Sequence, residues 1–294
     1  MLPRDRTLLA ILFAATAAAL TAVDAAIVRL LAGEVHPFVI GFFRCLCGLM
    51  TVLPWILWRP AVLKTRYRWL HLCRSALKLL SLVCGFAAFA EAALADVTAI
   101  MFTAPIFVML GAWLVLKEAL TVSRIAAILA GFAGALIIIS PSDGDRGEWI
   151  ALMLAVTAAA LQALVQLMLK KMSSTDSAET LVVWNLILTV PIAAVPAVLF
   201  WETPTWGNLS LLILQGILGA ANMALITKAL AMADASHVAS VEFLRLPFVA
   251  AIAWLMFGEI AGLTTWGGAA LIIGAVLLPL AGSAWRRRQA LHQA

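Results

Sequence analysis

The side chains able to do chemistry here are the few ionisable groups that interrupt long apolar stretches. Placing a charge inside a bilayer costs at least about 2.5–3.5 kcal/mol on insertion scales, so each must face a cavity or a partner. Lys78 lies about eight residues, or roughly 12 Å of helix, into one such stretch, which predicts an ammonium near the membrane midplane. There it attracts a substrate carboxylate, pairs with an acid, or snorkels inward along its stem. Arg74, one turn nearer the surface, reads as an interfacial anchor. Glu242 and Arg245 are three residues apart and share a helix face, which predicts an intrahelical ion pair. If released from each other, the two would read the two charges of an amino acid. Asp24 and Arg44 predict an ion pair between the first two spans, or a gate that breaks when the cavity opens.

Neutral polar groups form a second set. Gln162 and Gln166, four apart, put two amides on one face of an apolar helix, as a water-filled cavity would need. The histidines His36, His71, His237 and His292 fall at loops or predicted helix ends and form no H-x-x-x-H or H-E-x-x-H pattern. No nucleophile–base set or metal cluster appears in the spans, so no enzyme, cofactor or metal is expected. Cys45, Cys47, Cys73 and Cys84 all fall within spans and read as packing residues.

The elements that hold these groups are membrane helices. With 64% hydrophobic and 12% charged residues over 294 positions, the chain is far from the soluble average of roughly 25% charged. A span takes about 20 apolar residues. Ten fit, near 7–31, 37–58, 70–93, 97–117, 124–140, 149–170, 179–200, 208–233, 238–257 and 264–284, with no stretch left for a soluble sensor domain. Barrel strands would alternate apolar with polar residues, whereas Leu181–Phe200 is apolar all round.

The chain also contains itself twice, 141 residues apart. Thr16–Leu20 (TAAAL) returns as Thr157–Leu161, and Phe102–Glu118 returns without a gap as Phe243–Glu259, with Trp113/Trp254 and Glu118/Glu259 among the matches. Residues 9–31 align with the internal span 150–172, so the first segment reads as a retained helix and not a signal peptide. Five spans per half is an odd number, which forces the second half to enter from the opposite side. The fold class is therefore all-α integral membrane, ten transmembrane helices as two inverted five-helix repeats, residues 1–141 and 142–294. Inverted repeats place the substrate site near the midplane between the halves, with access alternating as one body rocks on the other. Some channels are also inverted repeats, so a channel stays open as a rival. The offset makes Thr21 the mate of Gln162, Ser81 of Asn222, Met101 of Glu242 and Arg44 of Asn185. Thr21, Ser81, Gln162 and Asn222 are therefore expected near the pseudo-twofold axis, with Met101 as an adaptable cavity wall.

Pro105 and Pro247 are expected to kink their helices and act as hinges. Trp113 and Trp254 read as interface anchors. Gly131, Gly134, Gly267, Gly268 and Gly274 read as small surfaces for close helix approach. With a cytoplasmic N-terminus, the inside segments hold Arg4, Arg6, Arg59, Lys64, Arg66, Arg68, Lys117, Arg124, Lys170, Lys171, Lys228, Arg286, Arg287 and Arg288; the outside holds Arg29 and Arg146. That asymmetry places both termini in the cytoplasm and accounts for the +5 net charge without nucleic acid.

The repeated segments Ala88–Glu118 and Ala229–Glu259, each with a helix, a proline, an aromatic stretch and a terminal glutamate, resemble the EamA-type repeat of the drug/metabolite transporter superfamily. Phe42-Phe43-Arg44 resembles the family's aromatic-Arg pattern. One departure is that Pro105 aligns with Leu246, so the proline is displaced by one residue in the second half. The resemblance implies an inner-membrane exporter of small polar or amphipathic solutes, most like the broad-specificity aromatic amino acid exporters, with multidrug or cationic-compound efflux as the alternative. Its partners would be the solute and the bilayer, and such a chain can be complete as a monomer.

Overall fold

The computed structural model describes residues 3–116, 122–139, 146–172, 175–232, 241–275 and 277. These residues are almost wholly helical: α1 Pro3–Leu31, α2 Pro37–Trp58, α3 Arg68–Glu91, α4 Leu94–Met101, α5 Ala104–Leu116, α6 Val122–Ile139, α7 Arg146–Met172, α8 Ala178–Leu199, α9 Trp206–Met232, α10 Arg245–Phe257 and α11 Leu263–Ala275. Seven helical stretches are long and apolar enough to cross a membrane, Leu94–Leu114 counting as one, and Ile125–Ile139, Arg245–Phe257 and Leu263–Ala275 are shorter apolar helices. Together they are the ten expected spans.

Local chemistry sets the ends. His36 caps α2 by accepting from the Phe38 N–H at 3.3 Å, with Pro37 in the first turn, where a missing N–H costs nothing. Ser177 caps α8 by accepting from Thr180 N–H. Gly258 ends α10 in the left-handed conformation, φ +68°, and the Glu259 N–H reaches back to the Ala253 carbonyl, a Schellman closure.

Packing repeats with the sequence. α1 packs on α9 and α10, while their equivalents α7, α3 and α4–α5 pack on one another in the same way. The α2–α9 contact is matched by α8–α3, α2 packs on its own equivalent α8 across the axis, and α4 packs on α10. Two mixed bundles result: α1 with α9 and α10, and α7 with α3, α4 and α5. Close approach needs glycine at a few places. A Cβ on Gly216 would collide with Cys47, and one on Gly268 would collide with the Gly134 carbonyl. Gly267 and Gly274 meet nothing within 4 Å, so a close-packing role does not extend to them.

Among the described residues the core is lopsided. The largest buried cluster runs from Ala22 to Leu31 of α1 through Phe86 and Phe89 of α3, Ile100 and Ile106, to Leu246 and Val249 of α10. It lies toward the membrane face at which α1 ends. Toward the face at which α1 begins, the buried residues among those described fall into small separate groups, such as Ala10, Ala14 and Ala229, or Ile56, Val62 and Val183.

Candidate functional site

The expected kinks at the two prolines are full breaks. α4 stops at Met101, Phe102 and Thr103 form a turn, and α5 restarts at Ala104 with Pro105 second in line. In the other half, Val241 and Glu242 are helical, Phe243 and Leu244 form the turn, and α10 starts at Arg245 with Pro247 in its first turn. The turns occupy equivalent positions, 102–103 and 243–244. Proline lacks the N–H a continuous helix needs and resists a helical predecessor, so the chain restarts where that loss is harmless. Thr103 Oγ1 donates to the Ile100 carbonyl at 2.7 Å, satisfying part of the freed backbone. The rings of Phe102 and Phe243 meet edge to face, with centroids 5.1 Å apart.

Polar side chains of the two halves also meet within the bundle. Lys78 on α3 donates to Gln162 Oε1 on α7 at 2.7 Å, so its partner is an amide and neither an acid nor the surface. Arg44 on α2 is ion-paired with Asp24 on α1 and lies over the Phe86 ring, 5.9 Å from its centroid. Arg245 Nη2 lies 3.9 Å from the Met101 sulfur, and its Nε is buried with no partner. Among the described residues no ion pair joins Glu242 to Arg245, because the helix they were expected to share is broken between them. Glu242 is instead exposed, although its surroundings are otherwise crowded. Arg44 and Arg245 both stand close enough to Lys78 to repel its charge.

The neutral pairs follow the repeat. Asn222 Nδ2 donates to Thr21 Oγ1 at 2.5 Å between α9 and α1. Thr21 Oγ1 in turn donates to the Ala17 carbonyl at 2.9 Å, and Ser81 Oγ donates to the carbonyl of Ala158, the mate of Ala17, at 2.8 Å. Gln166 is exposed one turn beyond Gln162, so the two amides of α7 have different surroundings.

The two cations do not follow the repeat. Lys78 on α3 has Gly219 on α9 as its mate, and a Cβ on Gly219 would stand 3.3 Å from the Arg44 guanidinium. Arg44 on α2 has Asn185 on α8 as its mate. At the α2–α9 contact the cation comes from α2 and glycine leaves it room, while Lys78 on α3 is turned to Gln162 of α7.

Several functional candidates escape the sequence reading. Arg74 is not an anchor at the interface: it is buried and donates to the Leu181 carbonyl at 2.5 Å. His71 is fully buried, with Nε2 2.9 Å from Asp176 Oδ2 and the Trp184 ring stacked on it. Gln215, the mate of Arg74, lies buried beside Asp24 with both amide atoms unpaired. Asp96 accepts from Thr265 of α11. Trp113 and Trp254 are both exposed. Among the described residues no group of three or more His, Cys, Asp or Glu could hold a metal ion. An apolar crevice of about 730 Å³ lies between α2, α3 and α8, lined by Phe38, Leu79, Leu80, Leu188 and Pro191 among others.

A two-repeat bundle with paired helix breaks and a polar centre defines a membrane carrier. The EamA-like transporter family matches residues 8–140 and again 149–280, and the chain belongs to that family. It is 36% identical over 230 residues to a riboflavin transporter of Rhizobium johnstonii, covering 78% of this chain and 76% of that one. It is 28% identical to an S-adenosylmethionine uptake transporter of Rickettsia bellii, covering 85% of each. A solved crystal structure, 17% identical, superposes with a TM-score of 0.63 over 97% of this chain and 99% of its own, a likeness of fold. The chain is thus a multi-pass membrane transporter and not an enzyme. These relatives carry riboflavin and S-adenosylmethionine in their names and not amino acids.

Proposed function

We propose that this transporter moves a small solute bearing a planar aromatic ring and hydrogen-bonding edges, riboflavin first among candidates, through the centre of the bundle by alternating access. The observations that carry the reading are the Phe102–Phe243 ring pair at the two breaks and the Lys78–Gln162 and Thr21–Asn222 hydrogen bonds, each joining one half of the chain to the other. Rings stack on a flat solute, while amides and hydroxyls bind varied polar edges without trapping them. Likeness to the riboflavin transporter adds support from outside the site.

A second reading, amino acid export, has its own observation. Glu242 and Arg245 flank the second break without pairing, so each is free to meet one charge of a zwitterion. The 14 to 2 distribution of loop arginines and lysines supports cytoplasmic termini, and an inner-membrane location follows from the bacterial relatives. Glu242, exposed at the break, is the carboxylate placed to couple transport to protons. The hinges of the cycle are the turns before Pro105 and Pro247.

The test is uptake and efflux in proteoliposomes of labelled riboflavin, S-adenosylmethionine, tryptophan, threonine, methionine and a cationic dye, with and without a proton gradient. Saturable riboflavin flux supports the first reading. Flux of the amino acids alone selects the second, and flux of the dye alone replaces both with drug efflux.

A further inference from the structure

At the membrane face where α1 ends, one ion pair bridges the two mixed bundles, and its chemistry goes beyond simple charge pairing. Arg29 Nη2 meets Glu259 Oε1 at 3.0 Å; both residues belong to the α1–α9–α10 bundle. The same pair also touches the other bundle at the turn joining α3 to α4. Arg29 Nη1 donates to the carbonyls of Phe89, Ala90 and Ala92 at 2.7–3.0 Å, and Glu259 Oε2 accepts from the Leu94 N–H at 3.0 Å.

These backbone groups are special. The last carbonyls of a helix and the first N–H groups of the next have no partner inside their own helix, and they carry the negative and positive ends of the helix dipoles. The guanidinium sits on the carbonyl end of α3 and the carboxylate on the N–H end of α4. Left open in an apolar medium, each such group costs several kcal/mol. Gly258 fixes the carboxylate, since the Schellman closure it permits sets where Glu259 leaves α10.

We infer that Arg29 and Glu259 form a plug, matched in polarity to the α3–α4 turn, that closes this face of the transporter and must undock for the cavity to open there. The inference rests on the alternating-access reading above, but its test needs no substrate. When the bundles part, the plug's charges and the turn's backbone groups pass into water together, which repays the broken bonds and makes the contact reversible. The sequence repeats the pair as Lys170 and Glu118 at the 141 offset.

The experiment places spin labels at Glu91→Cys and Ile260→Cys, two exposed positions beside the turn and the plug, in a chain whose four native cysteines are replaced by serine. Pulsed electron paramagnetic resonance in liposomes then reads the separation. The parent should show mainly the short distance. Arg29→Gln and Glu259→Gln should each raise the ratio of long to short by roughly tenfold, equivalent to about 1.4 kcal/mol. The exchanged variant Arg29→Glu/Glu259→Arg keeps an ion pair but sets each charge against the wrong helix end, so it should stay open like the single variants. Unchanged distances in the folded single variants would overturn the plug. Parent-like closure in the exchanged variant would also overturn it, leaving an ordinary ion pair. If one single variant is not monodisperse, the other carries the same comparison.

Discussion

Phe102 and Phe243 occupy the same position of the repeat, and their rings touch edge to face at 5.1 Å. A residue that contacts its own repeat mate lies beside the axis relating the halves. Both residues also sit in the turns that interrupt their helices. The two breaks therefore meet at the axis, which is where the proposed binding site lies.

A ring pair on the axis should be energetically coupled. Phe102→Leu and Phe243→Leu are expected to lower the midpoint of thermal unfolding in detergent, and the double variant to fall short of the sum by about 0.5–1.5 kcal/mol. Strict additivity would mean that the rings do not act together.

The Lys78–Gln162 bond gives a similar prediction for transport. Lys78→Met should reduce initial flux by about tenfold or more, the scale of one lost hydrogen bond to a charged group. Gln162→Leu should reduce flux in the parent but add little in the Lys78→Met background, because one interaction is lost only once. Independent effects of the two in proteoliposome flux would separate them.

The Asp24–Arg44 pair should reveal itself through imbalance. Asp24→Asn leaves the guanidinium without its counter-charge in a partly buried site, a loss of about 3–5 kcal/mol for a buried pair. The double variant Asp24→Asn/Arg44→Gln should be more stable than Asp24→Asn alone, as read by thermal unfolding and the yield of monodisperse protein. Equal damage in both would remove the pairing argument.

Neighbouring glycines make a stringent packing test. Gly268→Ala drives a methyl into the Gly134 carbonyl and should lower stability and yield, while Gly267→Ala meets nothing within 4 Å and should be neutral or slightly favourable. The measurement is a paired thermal melt; a reversed order would contradict the α6–α11 packing.

Much of this was legible in the sequence because it depends on apolar length and repetition. The ten spans and the 141 offset follow from those two properties, whereas the offset names Gln162 as the mate of Thr21 and Asn222 as the mate of Ser81 and leaves the Thr21–Asn222 bond to the structure. The breaks at Phe102 and Phe243 did not, since a proline marks a kink and a full interruption alike. Arg74 was misread because depth alone suggests an anchor, whereas its fate depends on the Leu181 carbonyl from a helix 107 positions away. His71 was passed over because Asp176 arrives from a connection 105 residues on. Arg29 and Glu259 stand at span ends, where charge is cheap and reads as topology, so only the three-dimensional structure joins them to the α3–α4 turn. The amino acid branch came from the look of the repeat, which EamA-like transporters share whatever their cargo.

The most direct test of a single central site exposed alternately to the two faces is counterflow. Proteoliposomes are preloaded with excess unlabelled riboflavin, diluted into a trace of labelled riboflavin, and followed over time. The account predicts a transient overshoot of label inside that is lost in Lys78→Met. Label that only approaches the outside concentration, without overshoot and without saturation, would show a channel and contradict it.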